Sequence, residues 1–208
     1  EFHYLNDPKP DSLNLTEEEG KLILGGEATS WAELVTYETI DSRIWPRTAV
    51  IAERLWSPAF IRDVDFMYER SKHISYLLEE HGLLHIKNYE MMLRRLTGNR
   101  EVSHLKTLVD ILEPVKIYQR HFQGVKYTSF SPYSRIVDAA RPESETARKF
   151  KKLLSRYKHN SDSSAFNEIK NYLYILKNNH QKLLKDIEVS PIIKEIEPLS
   201  ELLSKISE

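Results

Sequence analysis

Apolar and polar positions alternate most clearly between Leu22 and Glu33. Leu22-Ile23-Leu24 is a short apolar run bounded by Gly20 and Gly25, the pattern of a buried strand. Continued with a period of two, strand geometry puts Glu27, Thr29, Trp31 and Glu33 on one face. Gly26, Ala28, Ser30 and Ala32 fall on the other. Small side chains let another element come close, while the polar and aromatic face could line a cavity. The same alternation also fits a half-buried strand edge running into a loop, and on the residues alone both readings stay open.

Elsewhere the spacing is helical. Residues 1–15 are rich in Pro, Asn and Asp and predict an extended loop. Thr16 to Glu19 has the form of a capping box and predicts one short helical turn before Gly20. Asp41 or Ser42 can cap a helix running to about Trp56, with Pro46 in its first turn, where a missing N–H matters least. Asp63 to His81 carries Phe66, Met67, Ile74, Leu77 and Leu78 at helical spacing, with Gly82 as its stop. Shorter helices are predicted over Tyr89 to Leu96, from Ser103 toward Pro114, and over Ser144 to Tyr157. A long one carries Phe166, Ile169, Leu173, Leu176, Leu183 and Leu184 to about Ile187, and a last one spans Leu199 to Ile206. The only further strand expected is a brief one near Val125 to Thr128. One buried strand followed by helices is an odd plan for a free-standing domain.

Composition narrows the function classes. The 208 residues are 40% hydrophobic and 29% charged, the balance of a globular protein. A net charge of −1 leaves no basic surplus to neutralise phosphates, so nucleic acid is a poor partner. No apolar run approaches the roughly 20 residues of a membrane-spanning helix. Without cysteine there are no disulfides or thiolate metal sites. The eight histidines show no helical His-x-x-x-His or His-Glu-x-x-His arrangement, and His73, His81 and His85 are read as helix-surface residues. No metal or cofactor is expected. The sequence opens on Glu1 rather than Met, which is read as the removal of an upstream part.

Chemistry concentrates in three spaced blocks: Gly25-Gly26-Glu27-Ala28 through Trp31-Ala32-Glu33, then Ser42-Arg43-Ile44-Trp45-Pro46-Arg47, then Ala52-Glu53-Arg54-Leu55-Trp56-Ser57. Together they resemble the last strand and last helix of the (β/α)₈ barrel in family 20 glycoside hydrolases, the β-N-acetylhexosaminidases. The clear match covers about residues 22–57, and the helices to about residue 135 look like the tail of larger bacterial members. On the residues alone, Trp31 is as well read as core and Glu33 as solvated. The resemblance instead implies that Trp31 walls the terminal N-acetylhexosamine, its flat indole suiting a pyranose face. It implies that Glu33 accepts hydrogen bonds from sugar hydroxyls away from the scissile bond. Barrels of this kind place their active sites at the C-terminal ends of strands. Trp45, Pro46, Arg54 and Trp56 are assigned to helix-to-barrel packing, Arg43, Arg47 and Glu53 to ion pairs along or beside the helix, and Glu27 to a buried pair with a barrel Arg or Lys.

The resemblance also implies what this chain lacks. Such enzymes use the substrate's own acetamido oxygen as nucleophile, with a consecutive Asp-Glu pair to orient it and to protonate the leaving oxygen. No consecutive Asp-Glu occurs in these 208 residues, and no catalytic residue is assigned. A full barrel takes about 250 residues. The expected fold is therefore mainly α, with the last β/α unit of an incomplete TIM barrel over residues 1–60, a helical extension over 61–158 and C-terminal helices over 159–208. The expected function is a part of an exo-acting hydrolase that removes terminal N-acetylglucosamine or N-acetylgalactosamine, inactive alone and partnered by the upstream barrel. Family habit implies a periplasmic or cell-surface location. Exposed apolar helix faces could support self-association, and a non-catalytic helical interaction module is the competing reading.

Overall fold

The computed structural model describes residues 1–8, 13–115 and 119–208. They divide into two compact units, Glu1–Ile86 and Lys87–Glu208. As the spacing predicts, the chain is mainly helical. No strand forms among the described residues, including the runs expected at Leu22 to Leu24 and Val125 to Thr128. A strand exists through its ladder, and neither run has a partner strand here to satisfy its backbone groups. The expected loop over residues 1–15 lies partly outside the described residues.

The first unit contains α1 (Phe2–Asn6), α2 (Glu17–Lys21), α3 (Ile40–Ile44), α4 (Arg47–Trp56) and α5 (Val64–Glu80). The capping box before α2 forms as read: Thr16 Oγ1 accepts the Glu19 N–H at 3.3 Å and the Glu19 carboxylate accepts the Thr16 N–H at 2.8 Å. Asp63 caps α5 by accepting the Phe66 N–H at 3.0 Å. Gly82 stops it in a left-handed backbone at φ +92°, a conformation without steric cost only for glycine. Two boundaries differ from the expected ones. Residues 2–6 are helical rather than looped, because Tyr4 is buried and its hydroxyl donates to Glu53 of α4 at 2.9 Å. The helix expected from Asp41 to Trp56 is two helices, split at Trp45, whose ψ of 150° is the extended geometry that a following proline favours.

One side-chain network ties three helices of this unit together. Arg70 of α5 donates from Nε to Glu53 Oε2 at 2.8 Å and from Nη2 to Glu53 Oε1 at 2.5 Å, and Nη2 also reaches the Tyr4 hydroxyl at 3.1 Å. The paired guanidinium holds the Glu53 carboxyl below its ordinary value against the opposing effect of burial. A depressed carboxylate contributes stability above its unfolded value of about 4.5 and loses it as pH falls through the lower folded value. Thermal midpoints measured on acidification should therefore fall less steeply in Glu53→Gln than in the parent; an unchanged slope would remove Glu53 from the acid limb.

The second unit contains α6 (Lys87–Leu96), α7 (Ser103–Val109), a 3₁₀ turn at His121–Gln123, α8 (Ile136–Ala139), α9 (Glu145–Asn160), α10 (Ser163–Ile187), α11 (Pro191–Lys194) and α12 (Glu197–Ile206). Leu93, Leu105, Leu108, Leu183 and Ile193 are its most deeply buried side chains and join α6, α7, α10 and α11 in one core. Burying a side chain of this size contributes roughly 1.5–3 kcal/mol. Ser103 is the first helical residue of α7; the Val102 before it makes no side-chain cap, and Glu101 accepts the Ser103 N–H at 2.8 Å. Residues 161–162 link α9 to α10, and Asp162 caps α10 by accepting the Ser164 and Ala165 N–H groups at 2.9 and 3.1 Å. Phe150 packs on Tyr172 and Tyr157 on Phe166 across that hairpin.

Candidate functional site

The polar face expected from Glu27 to Glu33 lies on a run that carries neither helix nor strand up to Ala32 and turns at Glu33 and Leu34. The small-residue face does meet a neighbour at Gly26, where an added Cβ would sit 3.5 Å from a methyl of Leu55 in α4. The rest of the run is open: Trp31 is 75% exposed, Leu24 is 97% exposed, and Glu27 and Glu33 are exposed. Trp31 and Glu33 therefore stand close in sequence on one accessible stretch. The expected burial of Leu22 and Leu24, and of a Glu27 ion pair, is not seen. Among the described residues no element covers them.

The residues assigned to structure divide in two. Arg54 is buried and donates to the carbonyls of Ile61 at 2.5 Å, Pro58 at 2.9 Å and Ser57 at 3.1 Å. It closes the C-terminal end of α4 and folds the following loop back, with its guanidinium 5.6 Å from the Tyr4 ring centre. Arg47 donates to the Arg43 carbonyl at 2.5 Å, and Glu53 pairs with Arg70 as described, beside rather than along its helix. Trp56, by contrast, is 93% exposed rather than packed.

His85 also departs from its reading as a surface residue. It is buried, with Nε2 2.7 Å from the Ser75 hydroxyl. His81 and His85 stand four apart, but Gly82 breaks the helix between them, so they share no helix face. Among the described residues no three His, Asp or Glu side chains gather as a metal site, and no described helix is long and apolar enough to cross a membrane.

Two clusters in the second unit escape sequence reading because their members meet only in the fold. Arg120 pairs with Asp138 in a buried contact at 2.6 Å, and its guanidinium lies over Tyr127. Tyr89, buried in α6, donates its hydroxyl to Asp110 at 2.5 Å, and burial first and Asp110 second push that hydroxyl's pKa up. Nothing in the spacing of these residues announces either contact.

Comparison with known proteins follows the sequence blocks. Residues 2–59 match the model of the glycosyl hydrolase family 20 catalytic domain. Over 50 residues, 24% of the chain, the sequence is 52% identical to β-hexosaminidase A of Caenorhabditis briggsae, covering 9% of that protein. Over 75 residues, 36% of the chain, it is 37% identical to the β-hexosaminidase β subunit of Homo sapiens, covering 14% of it. The crystal structure of Flavobacterium johnsoniae chitobiase superposes with a TM-score of 0.89 at 40% identity, over 99% of this chain and 31% of the chitobiase. The chain thus spans under a third of that enzyme and a smaller share of the curated relatives.

Proposed function

We propose that this chain, which carries part of a glycosyl hydrolase family 20 catalytic domain, works within a longer β-N-acetylhexosaminidase that removes terminal N-acetylhexosamine from glycans or chitooligosaccharides. The observation that carries the reading is the match of residues 2–59 to that catalytic domain, supported by likeness to a chitobiase along nearly the whole chain. In this reading the run from Leu22 to Glu33 is the last barrel strand, and the upstream barrel provides the ladder and the apolar cover it lacks. The exposure of Leu24, Trp31 and Trp56 supports such a partner surface.

The division of labour follows from the chemistry. Trp31 offers an indole face to the sugar's C–H groups, and Glu33 accepts from its hydroxyls, so the two orient the ring. Cleavage needs an acid for the leaving oxygen and a group to orient the acetamido nucleophile. Those two roles fall to an Asp-Glu pair upstream, since none occurs in this sequence. Periplasmic or surface exposure fits a glycan substrate and belongs to the same proposal.

The test is turnover of a chromogenic N-acetylglucosaminide by the 208 residues alone and by the longer protein. The longer protein should hydrolyse it and the 208-residue chain should not. Equal rates would show that the chain carries its own catalytic groups, and no turnover by either would defeat the hexosaminidase reading.

A further inference from the structure

The second unit contains a cavity of about 250 Å³ between the end of α7 and the start of α9, floored by Tyr89 of α6. Its size lies below the roughly 300–1,000 Å³ of pockets that hold drug-sized ligands, which suits a smaller guest. Three cations line it, Lys106, Arg141 and Lys149, and so do three anions, Asp110, Glu143 and Glu145. The formal charges cancel. A phosphate or carboxylate ligand would gain no net field there.

Most of these groups already answer one another. Lys106 Nζ lies 3.1 Å from Asp110 and 3.3 Å from Glu90, and Lys149 Nζ lies 2.7 Å from Glu145. The Tyr89 hydroxyl is given to Asp110, and its ring carries Lys106 Nζ at 4.6 Å and the Arg141 guanidinium at 4.5 Å from its centre. Two groups keep unused capacity. Among the described residues no carboxylate takes Arg141, whose contact is the face of Tyr89, and no cation takes Glu143, which is exposed at the rim. A guanidinium only donates and a carboxylate only accepts. A pair of neighbouring hydroxyls, each able to do both, satisfies the two together.

We propose that this cavity binds a single neutral sugar unit, with Arg141 donating to and Glu143 accepting from its hydroxyls. No bond is broken there, and the site stands whether or not Trp31 and Glu33 hold a substrate. Because Arg141 is set against a buried, hydrogen-bonded tyrosine, the donor is held in place before the guest arrives. Lys106 and Arg141 lie against the Tyr89 ring, and Val109 and Leu112 are the apolar residues of the lining.

The test is an NMR titration of the 208-residue chain with N-acetylglucosamine, following the amides of residues 89, 110 and 141–146. Saturable shifts in the millimolar range are expected there, weakened about fivefold or more by Arg141→Met and by Glu143→Gln, the loss of roughly one hydrogen bond each. Trp31→Ala should leave these shifts unchanged. If Arg141→Met lowers the melting temperature, the exposed Glu143→Gln decides the matter. Absence of saturable shifts, insensitivity to Glu143→Gln, or tighter binding of inorganic sulfate at the same amides would each overturn the proposal.

Discussion

Replacing Asp138 with alanine is expected to lower the unfolding free energy of the second unit by about 3–5 kcal/mol, the usual cost of stranding one member of a buried ion pair. The Asp138 side chain is 1% exposed and that of Arg120 is 8% exposed, so water cannot replace the lost carboxylate. Asp138 also accepts the Arg135 N–H at 2.9 Å, which would lose its partner at the start of α8. The pair is not itself a large source of stability, because both charges give up hydration to form it. The double replacement Arg120→Met with Asp138→Leu should therefore recover much of the loss. Urea unfolding followed by far-ultraviolet circular dichroism measures both. A loss under about 1 kcal/mol for Asp138→Ala would mean that the site relaxes to admit water.

The second large effect concerns catalysis and not folding. In the longer protein, Glu33→Gln should reduce kcat/KM by about 10–150-fold, the worth of a charge-assisted hydrogen bond of about 1.5–3 kcal/mol. Trp31→Ala should fall in a similar range through lost contact with the pyranose. In the 208-residue chain both residues are exposed, so each replacement should change stability by no more than about 0.5 kcal/mol. Activity lost at constant stability assigns the pair to substrate. A fall in chain stability matching the fall in activity would assign them to structure instead.

What the sequence discloses here is what local chemistry decides. The Thr16 capping box and the stop at Gly82 need only neighbours a few residues away, and each forms where spacing predicts; the Asp63 and Ser144 caps are equally local. The match over residues 2–59 overlaps the blocks from Gly25 to Ser57 that carry the resemblance. Tertiary contacts overturn the rest. Tyr4 is drawn into a helix by a partner 49 residues away, and His85 sinks against Ser75. The strand at Leu22 to Leu24 is legible as a pattern but not formed, since a ladder needs a second backbone. Trp31 and Glu33 are legible only through their motif, whereas Arg141 and Glu143 give no signal because their cavity joins residue 89, residues 106–112 and residues 141–149, which meet only in the fold.

The placement of the tryptophans has an optical consequence. Trp31, Trp45 and Trp56 all lie in the first unit, while residues 87–208 carry tyrosine but no tryptophan. Indole emission, excited at wavelengths that tyrosine does not absorb, therefore comes from the first unit alone. With Trp31 and Trp56 in solvent, it starts from the red end of its range, where covering either ring has room to shift it toward the blue.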